Sequence, residues 1–93
     1  MSENKLASKI LIRALTAGTV AQRVCSSNKK RTRVYVQVTD SGTCYITSGQ
    51  NQPYTQGMKC SATLPYENVT ATAELWVITS SSTAACAIEE DTD

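Results

Sequence analysis

The most reactive side chains in this 93-residue chain are four cysteines, Cys25, Cys44, Cys60 and Cys86, in a sequence with no histidine. Structural zinc sites draw on closely spaced thiolate or imidazole pairs. Here the cysteines are 19, 16 and 26 positions apart and no C-x-x-C occurs. The expectation is therefore no metal site, and thiols buried in reduced form as small apolar side chains. If they were oxidised, three pairings would be open. Without imidazole, the Ser-His and Cys-His hydrolytic arrangements lack their base. Asp40, Glu67 and Glu74 supply carboxylates, but no spacing singles out two of them as a glycosidase pair. No glycine-rich phosphate loop occurs. The chain is expected to be no enzyme, and to need no cofactor.

The next candidate chemistry is charge. The run Lys29-Lys30-Arg31-Thr32-Arg33 is followed by Tyr35 and Tyr45, and cations beside rings on adjacent strands suit single-stranded nucleic acid. The near-neutral total, +1, argues against tight binding of that kind, so nucleic acid is not the expected partner. The charges are nonetheless sorted. Up to Ile46 there are eight basic residues against Glu3 and Asp40; from Thr47 on, Lys59 stands alone against six acidic residues. Such sorting suits head-to-tail contacts between copies or docking on a charged surface, or is simply that of solvated faces. Trp76, the one tryptophan, either fills the core or anchors a contact between subunits.

The elements that must position these groups read as strands. Ser and Thr make up 23 of the 93 residues, and the apolar content is mostly Val, Ile, Ala and Tyr in short alternating runs. Residues 1–18 are read as an arm that fits a helix, with Leu6, Ile10, Ala14, Leu11 and Leu15 on one face, or equally a strand, with Ile10, Ile12 and Ala14 alternating with Leu11, Arg13 and Leu15. Lys9 and Arg13 break its apolar stretch, which argues against an export signal, and no run is long enough to span a bilayer. Strands are expected over 19–25 and 33–39, the second with Val34, Val36 and Val38 on one face and Arg33, Tyr35 and Gln37 on the other. Asp40-Ser41-Gly42 then returns the chain through 43–47 as a hairpin. Residues 48–57 read as an exposed loop, 58–64 as a short strand and 66–68 as a turn. Strands at 70–79 and 83–89 follow, ending in a mobile acidic tail, 91–93. The expected fold is all-β: a small antiparallel sandwich or barrel over 19–90.

This succession resembles the small β-sandwich domains found on tailed-phage particles as head decoration, cement or head-fibre-base proteins. The pieces that carry the resemblance are Asn28 through Arg33, Val34 to Val38, Cys44-Tyr45-Ile46, Gly57, Leu75 to Ile78 and Ala84 to Ile88. The turn before the second strand lacks the proline common in such turns, no acidic residue follows Gly57, and the cysteines lie outside the pattern. The resemblance implies a structural virion protein, made in the host cytoplasm, that sits on the capsid surface and bridges subunits of the major capsid protein. It further implies a symmetric oligomer, often a trimer. Leu6, Ile10, Ile12, Leu15, Lys29, Lys30, Arg31, Arg33, Tyr35 and Trp76 are then the expected interface residues. A tail, neck or fibre-attachment component is the alternative within that setting. A host-surface or sugar-binding module would instead gather Tyr54 and Tyr66 around the Gln50-Asn51-Gln52 loop.

Overall fold

A computed structural model describes residues 9–70 and 72–93. Their strands are β1 (Lys9–Ala17), β2 (Gln22–Cys25), β3 (Arg31–Val38), β4 (Thr43–Thr47), β5 (Met58–Ser61), β6 (Tyr66–Asn68), β7 (Leu75–Ile78) and β8 (Ala84–Thr92), with a 3-10 turn at Tyr54–Gln56. They form two four-stranded antiparallel sheets, ordered β1-β8-β3-β6 and β2-β7-β4-β5. Alternation explains the packing between them. Val34, Val36 and Val38 of β3 and Ala84, Cys86 and Ile88 of β8 face Val24, Cys44, Ile46, Cys60, Leu75 and Val77 of the second sheet in one buried cluster. β-Branched side chains suit such a pleated, one-sided interior.

Four expectations change. Residues 33–47 are no hairpin: β3 belongs to the first sheet and β4 to the second. Both edges of β3 are taken, by β8 and β6, and the turn is fastened to β8. The Asp40 carboxylate accepts from the Gly42 and Ala85 N–H groups at 2.8 and 3.1 Å. Gly42 lies so close to Thr83 and Ala84 that a Cβ there would stand 2.7 Å from the Thr83 carbonyl oxygen. The chain therefore crosses the core, and β3 faces β4 instead of bonding to it.

Second, residues 9–17 of the expected arm are the outer strand of the first sheet, paired with β8 in register from Lys9↔Thr92 to Ala17↔Ala84. The strand periodicity wins there because β8 offers an open ladder. Leu6 and the rest of 1–8 lie outside the described residues. Third, residues 66–68, expected as a turn, are β6 and pair with β3. Fourth, the acidic tail is not a loose end. β8 runs to Thr92, and Asp91 is buried, because arginines on β3 neutralise the carboxylates that would otherwise repel one another.

Candidate functional site

β1 is the feature of this fold least explained by packing. It lies at the margin of its sheet, so among the described residues the backbone on its outer side has no neighbouring strand. Its second half is held: the Gln22 side chain donates to the Thr16 carbonyl at 2.7 Å, and Arg13 donates to the Val24 carbonyl. Its first half is bare. Ile10, Leu11 and Ile12 are 61%, 56% and 68% exposed. The register puts Ile10 and Ile12 on the outer face, in line with Asp91 and Glu89 of β8. Leu11 points to the inner side, but the four-residue β2 is too short to cover nine-residue β1 along its length. Three consecutive large apolar side chains on a strand with an open edge are ordinarily avoided, because they template pairing with another chain.

The outer face continues from β1 into a charged centre. Across β1, β8 and β3, one row runs Ile10, Asp91, Arg33, and the next runs Ile12, Glu89, Tyr35 and on to Glu67 of β6. Arg33 bonds all three carboxylates: Glu67 at 2.7 Å, Glu89 at 2.9 Å and Asp91 at 3.4 Å. Its guanidinium also covers the Tyr35 ring, 4.9 Å from the centroid. The Glu67 hydrogen bond is the main reason that its pKa is raised above the ordinary arginine value. One carboxylate oxygen, Oδ1 of Asp91, is buried without a hydrogen-bond partner among the described residues.

Arg31, two positions earlier, goes inward. A register shift between Arg31 and Arg33 breaks the alternation, so these two arginines serve opposite faces of the sheet. The Arg31 side chain has no exposed surface and meets Glu90 at 3.0 Å. It also donates to the carbonyls of Ala73, at 3.0 Å, and Ser26. These carbonyls flank β2 and β7, so Arg31 ties the end of the first sheet to the second. Arg31, expected at an interface, is thus committed to the interior, whereas Arg33 keeps 28% of its side chain exposed among its carboxylates. Lys29 and Lys30 are exposed in the turn.

The other expected residues fall apart in space. Leu15 is half-buried against the core. Trp76 is covered, yet it is outside the core cluster; it lies on the outer face of the second sheet beneath Arg23, 5.2 Å from its ring centroid, and donates to Glu74 at 3.1 Å. Tyr54 and Tyr66 do not share a pocket. Tyr54 packs on Tyr45 with ring centroids 5.2 Å apart, whereas Tyr66 turns toward the core from β6. The Gln52 side chain is engaged by Ser48 within its own loop.

Comparison with protein-family models, with curated proteins and with solved structures finds no match. Among the described residues no group of three or more cysteine or carboxylate side chains is placed to hold a metal ion, and no helix is long and apolar enough to cross a membrane. What sequence reasoning missed is the thiol cluster: Cys44, Cys60 and Cys86 converge in the core. The signal was available in part, since Cys44 and Cys86 both fall on inward positions of alternating strands.

Proposed function

We propose that the chain is a non-catalytic structural virion protein that docks on the capsid shell by adding a strand of a shell subunit to the open edge of β1. The observation that carries the docking is the bare half of β1, with Ile10, Leu11 and Ile12 exposed beside a backbone that no other described strand pairs. Strand addition supplies main-chain hydrogen bonds for affinity and side-chain positions on alternate faces for choice of partner. Covering the three side chains adds about 25 cal/mol for each Å² of apolar surface removed from water.

Charge selects the occupant. β1 carries Lys9 and Arg13 and no carboxylate, so self-pairing would bring four cations into one ribbon. An extended, apolar segment with acidic residues is the better complement. The virion setting rests on the resemblance in residue classes to phage head decoration and cement proteins, and the major capsid protein is the shell subunit of that reading. Trimeric association on the capsid surface belongs to the same proposal. Repetition over a shell makes a weak single contact effective.

The test is rebinding to particles stripped of this chain. Wild-type protein cosediments with stripped particles, whereas Ile12→Lys, which sets a third cation on the strand, stays in the supernatant. Hydrogen exchange on the rebound protein shows new protection confined to residues 9–13. Equal cosedimentation of Ile12→Lys, or protection elsewhere with none on β1, would sink the proposal.

A further inference from the structure

The core holds a cluster that neither the packing nor the docking strand requires. Cys44 on β4, Cys60 on β5 and Cys86 on β8 are all buried. The sulfurs of Cys44 and Cys86 lie 3.9 Å apart, bridging the two sheets. Cys60 stands opposite Cys44 in the β4–β5 ladder and contacts its thiol, and it also donates to the Val36 carbonyl at 3.5 Å on the facing sheet. Cys25 lies apart from the three, at the end of β2.

We propose that Cys44 and Cys86 form a disulfide that bolts the two sheets together when the protein meets peroxide. The sulfurs, 3.9 Å apart, need to close to about 2.0 Å. The enclosure of the thiols excludes bulky disulfides such as oxidised glutathione, so the oxidant of this proposal is a small one. The Cys86 sulfur attacks one peroxide oxygen; an S–O bond forms, the O–O bond breaks, and the departing hydroxide takes the Cys86 proton to become water. The Cys44 sulfur then attacks the sulfenic sulfur. An S–S bond forms, the S–O bond breaks, and the leaving hydroxyl departs as water with the Cys44 proton. Two thiols thus lose two electrons, and one peroxide becomes two waters.

Of the two cysteines Cys86 keeps the trace of exposure, 3% against 0% for Cys44, so Cys86 meets the oxidant first and Cys44 resolves the product. The contact between them, in which either sulfur can donate, favours the Cys86 thiolate, as the Cys44 contact also favours that of Cys60. The bond joins positions 42 residues apart on strands of different sheets, so it constrains the unfolded chain strongly.

The experiment treats native wild-type protein with hydrogen peroxide, alkylates and denatures it, and digests it with trypsin and a glutamyl endopeptidase. Cuts at Lys59, Glu67 and Glu74 put Cys44, Cys60 and Cys86 on separate peptides. The expected product has lost two hydrogens, links the Cys44 and Cys86 peptides, keeps Cys25 and Cys60 alkylatable, and reverts with dithiothreitol. Its thermal midpoint is higher than that of the reduced protein, and Cys60→Ser gives the same link. A Cys44–Cys60 link, two oxygens added to one cysteine without a link, or an unchanged mass would each overturn the proposal. All of these are read on the isolated chain, so they are independent of docking.

Discussion

Two adjacent regions of the first sheet invert what their residue types suggest. On β1, Ile10, Leu11 and Ile12 have the composition of a core and stand in solvent. Where β3 meets β8, Arg31 and Arg33 have the composition of a surface, and one is sealed inside while the other is encircled by carboxylates. The lesson is that position in the sheet decides the role. A central strand has neighbours on both sides that can bring counter-charges, so even a guanidinium can be buried there. A marginal strand lacks a neighbour on one side, so even isoleucine stays exposed.

The contrast can be broken or sharpened by substitution, and the largest effect belongs to the buried arginine. Arg31→Ala strands Glu90 and two backbone carbonyls and is expected to cost about 3–5 kcal/mol in urea unfolding. Arg31→Met, which refills the volume, costs less than Arg31→Ala. A loss below about 1 kcal/mol for Arg31→Ala would mean that the arginine is no structural tie. Gly42→Ala follows, because its Cβ would press on backbone at the point where the chain crosses from β3 to β4; about 1–3 kcal/mol is expected by the same assay. Arg33→Ala is smaller, about 1 kcal/mol, since its partners are partly solvated and salt screens them. Repeating that measurement in high salt should shrink the difference between Arg33→Ala and wild type.

A pH series tests the same crossing point. Hydrogen bonds from the Gly42 and Ala85 N–H groups hold the Asp40 carboxyl below its usual value. A depressed folded value means that the contribution is complete above the unfolded pKa of about 4 and vanishes as pH falls through the lower folded one. Thermal midpoints of wild type should therefore drop more steeply below about pH 4 than those of Asp40→Asn. The smallest stability effect is at β1. Ile12→Lys should unfold within about 0.5 kcal/mol of wild type, while the proposed function expects it to lose binding to stripped particles. A large destabilisation would show that β1 is packed after all, and the contrast would collapse.

Much of the architecture is legible in the residues. Alternation in 33–38 names the inward valines of β3 correctly, and the inward Leu75 and Val77 of β7 follow from the same rule. The all-β class follows from Val, Ile, Thr and Tyr in short runs. Strand partners are not legible, because alternation states which face is buried and not which strand lies alongside. Hence the 40–42 turn looks like a hairpin turn and is in fact a crossing, and Tyr66 to Asn68 looks like a turn and is a strand. The charge run was misread for a different reason. A period of two sends Arg31 and Arg33 to the same face, and only the register shift between them separates the two. At the candidate site, Ile10 and Ile12 were identifiable from the strand reading of 9–17. Their exposure was not, since it depends on β1 lying at the margin.

The order of strands also governs how the chain reaches this state. Of the six strand pairings among the described residues, β4 with β5 is the one between neighbours in sequence; β1 must find β8, and β2 must find β7, across most of the chain. Closing such large loops is entropically expensive before any contact rewards it, which places folding in the slow, millisecond-to-second regime typical of all-β domains. During that interval the valine-rich β3 waits for a partner that lies more than forty residues further along, so crowding at high concentration competes directly with the correct sheet.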